Sequence, residues 1–449
     1  MAYATSSPLK SLYRQTLPML VGLFAIMGSQ FVDSVFIAQL GPQPLAALGF
    51  SVPIYQLIVG IQVGIGIAAT ACISIAIGER KHSYAKNLSA IVLGLGCLVV
   101  SLLILLLWFY QQSIFSVLGA KPNVIRLLPE FWAPWLLSCW LGAFLYFGYS
   151  ICRAFGQTLV PGKVMILTSV INVLLDPVFI FTFKMGLAGA AWATCIAFFI
   201  GLVVIFKSIF KQGYMALPKN AEVIRAGTSA IAKFTAPALL SQFIPPLSAF
   251  FVTIIVASYG ILAVGVWGMV SRIEYVLIVL VLAVTMALPP MIGKLKGEQR
   301  HTEILKLIKT AIFSIIAFQL ALAILMMIFV SPITSLLSGE EDVKSLLMQY
   351  FFLIPISYTG LGVCMISVSA CNAIGAPSAA LHASLLRLFV CYLPLVWLGS
   401  EMYGLMGLFI GASLGNILSG MVGWKMFLVQ YHKLIEPRLC SVALNQANE

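Results

Sequence analysis

Apolar runs of about 20 residues, the length a helix needs to cross the hydrocarbon core of a bilayer, recur along nearly the whole chain, separated by short polar, Gly or Pro punctuation. They are continuous rather than alternating, which excludes a β-barrel and leaves a bundle of membrane-spanning helices. Composition agrees: 61% of the 449 residues are hydrophobic and 9% charged, and the mean hydropathy is +1.05, far from soluble globular proteins. Twelve spans can be drawn, at 16–39, 46–77, 88–110, 130–152, 161–183, 186–210, 234–258, 262–293, 307–331, 346–373, 377–399 and 404–429. Segments 46–77 and 262–293 exceed a straight crossing and should tilt, kink or project.

Charge sets the topology. With the N-terminus in the cytoplasm, Lys10, Arg14, Arg80, Lys81, Lys86 and most later loop cations fall inside, and only Lys121, Arg126, Lys184 and Lys344 fall outside. This positive-inside bias predicts cytoplasmic termini and leaves Arg272 and Arg387 within the membrane. The net charge of +12 is dispersed in short clusters between spans, so no nucleic-acid-binding face is expected. The N-terminal stretch MAYATSSPLKSLYRQTLPML has no removable signal pattern, so the first span itself directs insertion.

A shift of 219 positions exposes an internal repeat. IAQLG at 37–41 meets VASYG at 256–260, GE at 78–79 meets GE at 297–298, and CRAFG at 152–156 meets CNAIG at 371–375. The chain is therefore expected as two six-helix lobes, 1–210 and 234–430, joined by a cytoplasmic linker at 211–233 and followed by a tail at 431–449. Six is even, so the lobes share orientation: an all-α membrane protein with a parallel repeat, as in secondary transporters.

Within this apolar frame two acids stand out, Asp33 in GLFAIMGSQFVDSVFIAQL and Asp176 in INVLLDPVFIFTFKMGLAGAAWAT. Unpaired carboxylates at such depth are costly and mark functional sites. Asn172 precedes Asp176 by four residues, which puts both on one helix face. Pro177 has no N–H to give the carbonyl of Val173, which becomes free for a cation or water. With the hydroxyl of Thr194 these groups make an oxygen cage for Na+, and two adjacent carboxylates can equally share a proton. The C-terminal half differs: Arg272 and Glu274 lie two residues apart, on different sides of one helix, and Arg387 lies in a later span. Glu274 is expected to pair with a residue on a neighbouring span, for which Arg387 is a candidate, and the set to bind an anionic or zwitterionic group or to gate.

Enzyme chemistry has no support. His82, His301, His382 and His432 lack metal or dyad spacing, and there is no phosphate-binding Gly-Lys-Ser/Thr loop, so no cofactor is expected and the energy source is expected to be an ion gradient or a partner. The nine cysteines have no metal-ligand spacing and are expected as free thiols.

FVDSVFIAQLGPQPLAALG at 31–49, RAFGQTLVPGK, NVLLDPVFIF and GLAGAAWAT together resemble the multidrug and toxic compound extrusion (MATE) family over nearly the whole chain. The resemblance implies two lobes around a central cavity, and export of amphipathic, often cationic, compounds driven by entry of H+ or Na+. It also implies that Asp33, Asn172, Asp176 and Thr194 form the cation or proton site. The seventh span, SQFIPPLSAFFVTIIVASYG, lacks the acid of the NorM-like branch, which favours the DinF-like branch. The expected setting is a bacterial inner membrane, with the chain working as a monomer on small-molecule substrates amid lipid. The rivals are a flippase for lipid-linked anionic precursors, which Arg272 and Arg387 would suit, a facilitator-superfamily transporter, and a channel or receptor.

Overall fold

A backbone surrounded by lipid must satisfy its own polar groups, and continuous apolar sequence does so as helix. The computed structural model describes residues 8–117 and 128–446, and among these every regular element is helical. Lys121 and Arg126, read as outward-facing, and the extreme ends 1–7 and 447–449 lie outside the described residues. The elements are α1 (Pro8–Gln39), α2 (Pro42–Gly78), α3 (His82–Phe109), α4 (Gln111–Val117), α5 (Leu128–Ala154), α6 (Leu159–Pro177) with a π-helical turn at Val178–Thr182, and α7 (Gly186–Lys211). They continue as α8 (Ala221–Ala257), α9 (Ile261–Leu277), α10 (Val279–Gly297), α11 (His301–Ile328), α12 (Val330–Leu337), α13 (Glu341–Ala373), α14 (Pro377–Leu386) with a second π turn at Arg387–Tyr392, and α15 (Leu393–Gln446).

Eleven of the described helical stretches are long and apolar enough to span a bilayer. The last, Pro377–Ile435, is 59 residues long and breaks at Tyr403 and Gly404, whose backbones leave the helical region. It therefore holds two spans, which makes twelve. The stretch read as a linker is mostly helix: only 212–220 are non-helical, and Ala221 opens α8.

The repeat is written in the backbone. Left-handed φ angles recur at Gly41 and Gly260 (107° and 99°), at Arg80 and Gln299 (60° and 61°), and at Gly156 and Gly375 (82° and 83°), each pair 219 residues apart. Gly156 closes α5: its N–H donates to the Arg153 carbonyl (2.8 Å) and that of Gln157 to the Cys152 carbonyl (2.9 Å). Gly375 and Ala376 cap α13 in the same way, on Asn372 (3.1 Å) and Cys371 (2.9 Å). This double cap requires the left-handed residue that glycine supplies.

The chain forms two compact units, Arg14–Leu239, and Met1–Tyr13 with Leu240–Glu449. In the first, Trp132 stacks on Trp135 at 4.8 Å and meets Phe115 edge-on at 5.0 Å. Ile37 of α1, Ile180 of the π turn that follows α6, and Leu187 of α7 join this core, so one apolar cluster holds α1, the end of α6 and α7, the elements of the polar groups described below. In the second unit, Val266, Val270, Leu277, Tyr350, Tyr358, Leu361 and Val396 share a core.

In the long eighth span, Pro289 and Pro290 lie inside α10. The span breaks at Ile278, where α9 ends and α10 begins. From α11, the buried Gln319 donates its Nε2 to the carbonyl of Leu277 at 3.1 Å, supplying a partner that the break removes. Gln319→Leu leaves that carbonyl buried and unpaired, and is expected to cost about 1–3 kcal/mol, read as a lower unfolding temperature in detergent.

Candidate cation site and its relatives

Asp33 stands on α1, Asn172 and Asp176 on α6, and Thr194 on α7. Asp176 is fully buried and Asn172 nearly so, while Asp33 and Thr194 are partly exposed. Four residues along a helix is just over one turn, so Asn172 and Asp176 share a face. The Asn172 Nδ2 lies 3.4 Å from Asp176 Oδ1 and 3.2 Å from Thr194 Oγ1. Thr194 in turn donates to the Ala190 carbonyl at 2.9 Å.

An amide can be turned about its last bond to suit its neighbours. With Asn172 reversed, its nitrogen donates to Asp33 Oδ1 at 3.0 Å and Oδ2 at 3.3 Å, and its oxygen accepts from Thr194 at 3.2 Å. The four side chains thus form one connected group, and Asn172 can satisfy either carboxylate. The two carboxyl groups are themselves within hydrogen-bonding reach. Asp176 Oδ2 is buried and receives no donor from the described residues. A buried carboxylate oxygen without a donor is costly, and a proton shared with Asp33, a bound cation or a water would relieve it.

The wide turn beside the site follows from Pro177. It lacks an N–H for the Val173 carbonyl, and the chain then winds as a π turn, with Phe183 N–H donating to the Val178 carbonyl at 2.9 Å. Such turns often occur at functional sites. Phe181 of this turn meets Phe36 of α1 edge-on at 6.0 Å, one turn beyond Asp33, and so helps to fix the position of α1.

The charged residues of the other unit are only partly gathered. Arg272 is exposed and forms no ion pair among the described residues. Glu274 and Arg387 act on each other electrostatically, yet no direct ion pair joins them, so the candidate partner does not form a contact pair. Around Glu274 stand three hydroxyls that sequence reasoning did not single out, those of Tyr350, Tyr358 and Tyr392. Tyr350 and Tyr358 are buried and bonded to each other at 2.6 Å. Their eight-residue spacing on α13, close to two helical turns, is the signal that could have found them.

Comparison with known proteins places this architecture. The MatE family model matches twice, at residues 18–178 and 237–398, starting 219 residues apart. The FAD transporter of Shewanella oneidensis is 29% identical over 430 residues, covering 93% of this chain and 94% of that protein. The probable multidrug resistance protein YpnP of Bacillus subtilis is 25% identical over 443 residues, covering 95% and 96%. Among solved structures, the MATE transporter VcmN of Vibrio cholerae in its bent form superposes with a TM-score of 0.94 at 44% identity, covering 96% of this chain and 98% of that one. With both repeats matched by the family model and the fold shared over almost its full length, the chain belongs to the MATE family.

Proposed function

We propose that the chain is a secondary antiporter of a bacterial inner membrane that exports amphipathic organic compounds, cations among them, against inward flow of H+ or Na+. The observation that carries this reading is the Asp33, Asn172, Asp176 and Thr194 group, with its donorless buried oxygen on Asp176. Loading that oxygen with a proton, or bridging both carboxylates with Na+, neutralises the pair and lets α1 and α6 pack closely. Emptying it leaves two like charges facing each other, which disfavours the same packing. An ion that binds one arrangement better than the other shifts the balance between them, and cargo that prefers the other arrangement is thereby exchanged for the ion. The coupling chemistry then lies in the N-terminal half, as expected for the DinF-like branch, and the chain works as a monomer with cytoplasmic termini. Family membership makes the chain a transporter and not an enzyme.

Liposomes that hold the purified protein and ethidium, with pH and sodium gradients imposed one at a time, test this reading. Efflux should accelerate under at least one inward ion gradient. Efflux that ignores both gradients would remove it.

A second reading, transport of an anionic cargo, including the flippase alternative, is favoured by Arg387 within the membrane and by the name of the Shewanella oneidensis relative. It is compatible with ion coupling at Asp33 and Asp176.

A further inference from the structure

Glu274 sits in the last turn of α9, one turn before the break at Ile278, and Arg387 opens the second π turn. These two charges therefore stand where helical regularity fails, the kind of place where transporters build binding sites from half-helix ends. Gln319 holds this break open by bonding the Leu277 carbonyl. The residues flanking Glu274 pack in one core with Tyr350, Tyr358 and Tyr392. Glu274 and Arg387 are only partly buried, whereas Tyr350 and Tyr358 are almost completely buried. The two charges are thus the more exposed part of the cluster and the tyrosine pair its buried part. Among the described residues no direct ion pair satisfies either charge, so Arg387 retains donors for a third party. A fully formed pair would not offer them.

We propose that Arg387 binds the anionic group of the cargo, a phosphate or carboxylate, and that Glu274 is its resting counter-charge. When the anion docks on Arg387, Glu274 loses its compensation within the membrane and takes a proton from solvent, so that cargo anion and proton bind together. The groups facing Glu274 are Tyr350 and Tyr358 from α13 and Arg387 and Tyr392 from the π turn, with Tyr275 beside it on α9. The charged residues of α10, Lys294 and Lys296, lie in its last turn, remote from the break. Arg272, two residues earlier on α9, is exposed, and Arg387 is the cation that acts on Glu274. The inference deepens the transport reading above and rests on it.

The test is a binding measurement without any gradient, on full-length protein in phosphatidylcholine nanodiscs. The probes are riboflavin and riboflavin 5′-phosphate, which share a ring and differ by one phosphate. The phosphorylated form should bind wild type at least about tenfold more tightly, the scale of one charge-assisted hydrogen-bonded contact. Arg387→Gln should erase that preference and Arg387→Lys should keep part of it. Affinity for the phosphorylated probe should rise as pH falls from 8 to 6, because the bound state holds one more proton. Glu274→Gln should bind it at least as well as wild type, with a visibly flatter pH profile. Titration of the probe's own phosphate is common to both proteins and cancels in that comparison. An Arg387→Gln protein that keeps the preference, or a Glu274→Gln profile as steep as wild type, overturns the proposal. Should Arg387→Gln not fold, the Glu274→Gln comparison decides alone. Failure here leaves gradient-driven ethidium efflux untouched, so the two readings fall separately.

Discussion

Asp33→Asn is expected to reduce ion-driven ethidium efflux to the level of protein-free liposomes while the protein still inserts and folds. An amide can neither accept the coupling proton nor balance a sodium ion, and Asp176 alone cannot replace the pair. The same change removes one of two facing carboxyl groups in a low-dielectric setting, where charge is costly. The unfolding temperature of the variant should accordingly match or exceed that of wild type. This separates a coupling role from a structural one. If Asp33 merely held α1 in place, the variant would lose stability and efflux together. Thr194→Val should act more mildly, since Asn172 keeps its reach to both carboxylates.

Gly411→Val is expected to be the most damaging single change to the fold. The two arms of the last helical hairpin approach backbone to backbone: a Cβ on Gly411 would run into the carbonyl oxygen of Leu395, and one on Gly407 into that of Gly399. No rotamer change relieves a clash between Cβ and main chain, so the arms must separate. Small residues permit such close approach in membranes, where packing itself drives helix association. The cost should be roughly 3 kcal/mol or more, at or above the upper range of overpacking, seen as aggregation on size-exclusion chromatography and a large fall in unfolding temperature. Gly265→Ala on α9 is the internal control. Nothing lies within 4 Å of its added Cβ, and helix propensity favours it by up to about 1 kcal/mol.

Much of this was legible in the sequence, for reasons that can be named. Span positions follow from the length and continuity of apolar runs, and the 219-residue shift found in CRAFG and CNAIG reappears in the left-handed residues Gly156 and Gly375. Asp33, Asn172, Asp176 and Thr194 were conspicuous because polar groups in lipid-like surroundings are rare and expensive, and the structure brings all four together. Other features were invisible because tertiary contacts decide them. The break at Ile278 carries no Gly or Pro; the bond that caps it comes from Gln319, 42 residues away in sequence. Both π turns keep the composition of ordinary helix, and only Pro177 hinted at one of them. Helical spacing separated Arg272 from Glu274 correctly, but not the outcome that Arg272 stays exposed, nor that Glu274 and Arg387 interact without touching.

The central claim, that ion binding at the Asp33 and Asp176 pair is exchanged for cargo, is tested most directly by watching the ion. Liposomes containing a trapped pH indicator and, in a parallel preparation, a trapped sodium indicator should be energised only by an outward ethidium gradient. Wild type should move one of the two ions opposite to ethidium, and Asp33→Asn should move neither. Ion countermovement by Asp33→Asn equal to that of wild type would contradict the account.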